Sequence, residues 1–160
     1  MQTFDLIPNP GRILLGPGPS MADPRVLAAL SQPLIGHLDP EFLKLMAQVQ
    51  ELLRFVFETH NELTLAVPGT GSAAMETAVA SLVEGGTPML VCVQGYFGNR
   101  IAEMARIYRA DLTVMQKPMG NIFYPEEIRA ELQKKPVKVV AIVQAETSTG
   151  VLQPIPEIAE

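Results

Sequence analysis

The run Val67-Pro68-Gly69-Thr70-Gly71-Ser72-Ala73-Ala74-Met75-Glu76 carries the residue types that a phosphate site needs. Glycines at 69 and 71 let the backbone turn tightly, so that Thr70, Ser72 and the free N–H groups of a helix start point at one spot. Such a spot accepts an anion, most naturally a phosphate. The same residues also suit a helix start that binds nothing, because Ser, Thr and Gly are ordinary capping residues. Two other stretches concentrate small polar and aromatic residues: Gly95-Tyr96-Phe97-Gly98-Asn99-Arg100 and Glu146-Thr147-Ser148-Thr149-Gly150. Phe97 can equally be a core aromatic at a helix start, and Thr147 to Gly150 an ordinary turn. His37, in Gly36-His37-Leu38-Asp39-Pro40, is a titratable residue just ahead of a helix cap, with a locally bonded loop histidine as its other reading.

The elements around these stretches follow from periodicity and punctuation. Residues 1 to 20, rich in Pro and Gly, read as an extended arm whose Ile13-Leu14-Leu15 would dock on a core or a second subunit. Asp23-Pro24 starts a short helix through about Leu30, and Asp39-Pro40 starts a long amphipathic one with apolar residues from 42 to 56 at helical spacing. Alternation at Leu63, Leu65 and Val67 predicts a strand over 62–67 leading into the glycine loop, followed by a helix to about Glu84 that Gly85-Gly86 terminates. A strand at 89–94, a helix over 97–108, a strand at 112–115, a helix opened by Pro125 and a strand at 137–143 complete the pattern. The last, nearly all apolar, fits a sheet covered on both faces. Such alternation specifies an α/β fold with mostly parallel strands, whose ligands sit at the carboxyl ends of the strands. All three polar loops fall at that edge.

Composition narrows the classes. With 160 residues, 48% of them hydrophobic, the chain is long and apolar enough for a packed core and unlike a disordered one. The net charge of −5, with scattered basic residues, argues against a nucleic-acid surface and a polybasic membrane patch. No apolar run is long enough to span a bilayer, and the first residues lack a basic region and a continuous apolar run, which makes the cytoplasm the expected compartment. The single cysteine, Cys92, lies within the apolar Met89-Leu90-Val91-Cys92-Val93 and reads as a small core residue rather than a nucleophile or metal ligand.

Taken together, Leu15-Gly16-Pro17-Gly18-Pro19-Ser20, Gly36-His37-Leu38-Asp39-Pro40-Glu41-Phe42, Gly69 to Glu76, Tyr96 to Arg100 and Glu146 to Val151 resemble, in order and spacing, the N-terminal part of the class V aminotransferases. The nearest branch is that of the alanine–glyoxylate and serine–pyruvate aminotransferases. The resemblance implies the fold-type I, aspartate aminotransferase-like architecture, here as an incomplete three-layer α/β/α sandwich: residues 1–20 an arm, 21–160 part of the large cofactor-binding domain. It implies pyridoxal 5′-phosphate as cofactor, a small amino acid and a 2-oxo acid as substrates, and a homodimeric parent enzyme. Thr70, Gly71 and Ser72 would take the phosphate, Phe97 would stack on the pyridine ring, and Thr147 would hydrogen-bond the phenolic oxygen. Gly18, Gly36 and His37 would line the substrate entrance.

The family's Schiff-base lysine and the aspartate that pairs with the pyridine nitrogen follow the Glu-Thr-Ser-Thr-Gly stretch, and none of Lys44, Lys117, Lys134, Lys135 and Lys138 stands at the lysine's place. The expectation is therefore a fragment without catalytic residues of its own, inactive alone. The family's sheet order further implies that the strands at 112–115, 89–94 and 138–143 pair in that sequence, while the strand at 62–67 has no neighbour. A lyase or desulfurase on the same fold and a non-catalytic interaction module remain alternatives. A dinucleotide-binding domain is disfavoured by the absence of a third glycine and a suitably placed acidic residue.

Overall fold

Two Asp-Pro pairs start the first two helices in the same way. In the computed structural model, which describes residues 11–160, Asp23 caps α1 (Pro24–Leu30) and Asp39 caps α2 (Pro40–Val56). Each carboxylate accepts the N–H of the residue after the proline at 2.8 Å, and the proline itself has no N–H to satisfy. Beyond α2, the Arg54 guanidinium donates to the carbonyls of Asn61 and Glu62 at 3.0 and 2.8 Å, which fixes the chain leaving the helix. These elements belong to the first of two compact units, Met1–Val67; the second is Pro68–Glu160. Half of the expected arm, residues 1–10, lies outside the described residues. Over the other half, Ile13, Leu14 and Leu15 are exposed in the single chain.

Residues 62–67 form no strand, contrary to their alternating pattern. A strand needs a ladder partner, and no described strand pairs with this segment. Leu63, Leu65 and Val67 all remain exposed. The unpaired state, though not the strand itself, is what the family's sheet order implies for this position.

The second unit is built on β1 (Pro88–Val93), with β2 (Asp111–Gln116) and β3 (Val139–Ile142) on either side, all parallel, in the order β2-β1-β3. Leu90 stands opposite Thr113 on one side and Val140 on the other. This is the pairing implied for 112–115, 89–94 and 138–143. Successive residues of the central strand serve opposite faces. Met89, Val91 and Val93 pack with Val79 and Val83 from α3 (Gly71–Leu82) and the segment after it, and with Ala102, Met104 and Ala105 of α4 (Tyr96–Ile107). Leu90 and Cys92 pack instead with Phe123, with Ile128 of α5 (Pro125–Lys134) and with Ile158 of α6 (Ile155–Ala159). The result is three layers, helix on sheet on helix.

Three features differ from the sequence reading. The helix expected to reach Glu84 stops at Leu82, because the Thr87 hydroxyl takes the Glu84 N–H at 3.0 Å and Gly86, at φ 85°, closes a separate turn. β3, expected to be covered on both faces, leaves Val140 40% exposed, since β3 is an edge strand of this sheet. After β3 the chain forms a small antiparallel hairpin of β4 (Ala145–Glu146) and β5 (Val151–Leu152), where the sequence predicts a loop without strands. Gly150, at φ 75°, supplies the left-handed residue in that turn.

Candidate functional site

The carboxyl edge of the sheet is organised by one buried acid. Glu146, 1% exposed, ends β4 with its side chain against the start of α4. Its Oε1 accepts the Phe97 N–H at 3.3 Å, the Ser148 N–H at 3.2 Å and the Ser148 hydroxyl at 2.6 Å, while Oε2 accepts the Gly98 N–H at 3.2 Å. The Ser148 Oγ in turn accepts the Tyr96 N–H at 3.0 Å. Four donors and the positive end of the α4 dipole thus face one carboxylate. Burial by itself raises the pKa of this group and is the largest single influence. The hydroxyl of Ser148 and the amides of Ser148, Gly98 and Phe97 together outweigh it, so the carboxyl lies below its ordinary value and stays ionised. The Glu146 carbonyl also closes the following turn, accepting the N–H groups of Thr149 and Gly150 at 3.0 and 2.8 Å.

Phe97 and Thr147 therefore sit on two segments tied to each other by direct bonds. Phe97 is half-buried and meets the Tyr96 ring edge-on, with ring centres 5.3 Å apart. Thr147 is exposed, and its hydroxyl has no hydrogen-bond partner among the described residues. Nearby, Gln94 is fully buried, with Nε2 donating to the Val143 carbonyl at 3.3 Å and Oε1 left without a partner.

The start of α3 has the same unspent character. The Thr70 hydroxyl accepts the Ala73 N–H at 3.2 Å and the Thr70 carbonyl accepts that of Ala74 at 3.1 Å, which leaves the amides of Gly71 and Ser72 unpaired among the described residues. Gly71 does not adopt a positive φ, and a Cβ built on it would meet nothing within 4 Å. Neither backbone strain nor packing within the chain requires a glycine at this position. α3 reaches the rest of the unit through its apolar face and through Glu76, which accepts the Tyr108 hydroxyl at 3.1 Å, and no hydrogen bond joins its first turn to Phe97 or Thr147. Alongside, an apolar cavity of about 410 Å³ lies between α3 and β3, lined by Met75, Val79, Val139 and Ile142 among others. Gln144 is its one polar lining residue, so it lacks the convergent polar groups of a ligand site.

The model of the aminotransferase class-V family matches residues 13–160. The chain belongs to the class-V aminotransferases. It is 43% identical over 152 residues to the alanine–glyoxylate aminotransferase of Mus musculus, a match that covers 94% of this chain and 36% of the mouse protein. The crystal structure of alanine–glyoxylate aminotransferase from Nostoc sp. superposes with a TM-score of 0.86 at 50% identity, covering 96% of this chain and 41% of that one. Ureidoglycine–glyoxylate aminotransferase from Bacillus subtilis gives a TM-score of 0.85 at 37% identity, over 92% of this chain and 38% of its own. The chain thus spans well under half the length of these relatives, and its fold is that of the N-terminal part of aspartate aminotransferase-like enzymes.

In this class-V aminotransferase segment the second unit holds Thr70, Gly71, Ser72, Phe97 and Thr147, and the structure bonds the Phe97 and Thr147 segments directly. Gly18, Gly36 and His37 belong to the first unit, where all three are exposed. Gly36 uses its carbonyl to accept the Asp39 N–H at 3.0 Å, a capping task. Cys92 is a core residue as its sequence setting predicts: it is fully buried, and burial pushes its thiol up to about 12. Sequence reasoning missed the tasks of Glu146 and Ser148. The usable signal was an acid at the end of an apolar strand, which must find donors when buried.

Proposed function

We propose that this chain forms the phosphate-anchoring and ring-holding part of a pyridoxal 5′-phosphate-dependent aminotransferase. The parent reaction moves the amino group of a small amino acid, alanine or serine, to a 2-oxo acid such as glyoxylate or pyruvate. The observation that carries this reading is the Glu146 contact that sets Phe97 beside the Thr147 turn, with the Thr147 hydroxyl and the amides of Gly71 and Ser72 left unspent among the described residues. Alanine and glyoxylate are the substrates in two relatives' names; serine and pyruvate follow from the family resemblance.

These residues suit the cofactor's chemistry. The amides of Gly71 and Ser72 and the Thr70 and Ser72 hydroxyls offer donors to a phosphate at the positive end of a helix dipole. Phe97 offers an aromatic face to a flat ring. Thr147 offers a hydroxyl to the phenolic oxygen, and Gly18, Gly36 and His37 are assigned to the substrate entrance. When bound, pyridoxal phosphate supplies the carbonyl and the electron-poor ring on which amino transfer depends. The residues named here anchor and orient it. The whole enzyme is assigned to the cytoplasm as a homodimer; no helix among the described residues is long and apolar enough to cross a membrane.

Equilibrium dialysis of the 160-residue chain against pyridoxal 5′-phosphate and against unphosphorylated pyridoxal tests the anchor. The phosphate should improve affinity by about tenfold or more, roughly what one or two charge-assisted hydrogen bonds contribute. Ser72→Asp, which places a negative charge among those donors, should abolish the difference. Equal binding of the two compounds by the unaltered chain would refute the assignment.

A further inference from the structure

Glu146 is placed to do more than end a strand. Its carboxylate touches both segments that carry candidate ring contacts: the Phe97 and Gly98 amides at 3.3 and 3.2 Å on one side, the Ser148 amide and hydroxyl at 3.2 and 2.6 Å on the other. Thr147 lies between the residue that accepts these bonds and the one that donates two of them. Gly95 is cut to the same purpose. A Cβ there would lie 2.4 Å from Glu146 Cγ, 2.5 Å from Cδ and 2.7 Å from Ser148 Oγ, so only glycine lets the acid reach α4. All four groups facing the carboxylate are donors, a demand that an ionised acid meets and an amide does not, because an amide presents two N–H groups of its own. An apolar side chain could have filled the volume without the cost of burying a charge, which marks the acid as serving geometry.

We propose that Glu146 is a positioning residue, a clamp with Ser148 and Gly95 that fixes the spacing between the Phe97 ring and the Thr147 hydroxyl and so sets how tightly the ring of pyridoxal phosphate is held. The proposal rests on the reading of Phe97 and Thr147 as ring contacts. It assigns Glu146 no contact with cofactor or substrate.

The test uses the 160-residue chain with Glu146→Gln and Gly95→Ala, each studied well below its own melting temperature. Two ligands separate the clamp from the anchor: pyridoxal 5′-phosphate, which engages both, and inorganic phosphate, which engages only residues 70–72. Both variants should weaken pyridoxal phosphate binding by about tenfold and leave phosphate binding unchanged. In nitrogen-15 NMR spectra, the amides of Phe97, Gly98 and Ser148 should shift together in each variant. Unchanged affinity for pyridoxal phosphate, or a parallel loss for both ligands, overturns the proposal. If Glu146→Gln does not fold, Gly95→Ala alone decides it. Should the unaltered chain bind no pyridoxal phosphate, the cofactor reading fails and the clamp's assigned task with it, whereas independent amide shifts alongside intact binding reject Glu146 as the link without touching that reading.

Discussion

At Glu146, burial and hydrogen bonding pull in opposite directions, and their balance gives a pH dependence. The carboxyl's pKa is lowered in the folded chain, against the larger single effect of burial, by the Ser148 hydroxyl and three backbone amides. A depressed folded pKa means that the contribution is complete above the unfolded glutamate value of about 4.3 and is lost as pH falls through the lower folded value. Glu127, whose pKa is lowered first by the Lys117 ammonium and then by the Tyr124 amide, acts in the same direction but sits nearer solvent. Urea midpoints of the unaltered chain and Glu146→Gln should therefore differ at about pH 7 and draw together as pH falls through the lowered folded value of the carboxyl. A gap that stays constant over that range would show that the four bonds do not depend on the charge. Composition marked the loops that hold Phe97 and Thr147, but the two residues were singled out by the family resemblance, because an aromatic at a helix start and a hydroxyl in a turn are ordinary in themselves. The role of Glu146 was not visible: it depends on how far β4 extends and on which helix start lies opposite, both of which are tertiary facts.

Helix α4 lies close on β1 because Gly98 has no side chain. A Cβ there would stand 3.1 Å from Val93 Cα and 3.2 Å from the Cys92 carbonyl oxygen, both backbone atoms that cannot step aside cheaply. Gly98→Ala should accordingly lower stability by about 1–3 kcal/mol, the usual cost of overpacking, seen as a lower urea midpoint at unchanged slope. Gly85→Ala is the contrasting case, since nothing lies within 4 Å of a Cβ there and no positive φ is required. It should be neutral or stabilising by up to about 1 kcal/mol. Equal losses at both positions would mean that glycine-to-alanine changes here act on something other than the α4–β1 approach. Elements whose signals are local were legible: Asp23-Pro24, Asp39-Pro40 and Pro125 each start a helix where the sequence places it. Elements whose existence depends on a partner were not. Alternation at 62–67 produced no strand without a ladder, and the two-residue strands of the β4–β5 hairpin are too short to carry a period.

Across the whole molecule, periodicity indicates a parallel α/β sheet but not its strand order; β2-β1-β3 came from the family resemblance, and the structure agrees with it. The same sheet shows what the chain has to offer as an amine. Three lysines of the second unit are held by carboxylates: Lys117 by Glu127, Lys134 by Glu131 and Lys135 by Asp111. Lys117 also donates to the Ile122 carbonyl at 2.9 Å, beneath the rings of Phe123 and Tyr124. Lys138, the fourth, precedes β3, and its amide bonds the Pro88 carbonyl at 2.9 Å, which places it at the amino edge of the sheet, opposite Phe97 and Thr147. In the first unit, Lys44 pairs with Glu41 at 2.7 Å on the exposed face of α2. A lysine that bonds a carbonyl cofactor must be within reach of it, and an ammonium tied to a carboxylate elsewhere on the unit is not. The 160-residue chain, mixed with pyridoxal 5′-phosphate and reduced with borohydride, should therefore show low, distributed labelling of exposed lysines and no turnover of alanine with glyoxylate. Peptide mapping by mass spectrometry reads the first outcome and pyruvate release the second. Stoichiometric labelling at one lysine, competed by excess inorganic phosphate and accompanied by turnover, would mean that one of these five side chains leaves its observed place to reach the cofactor.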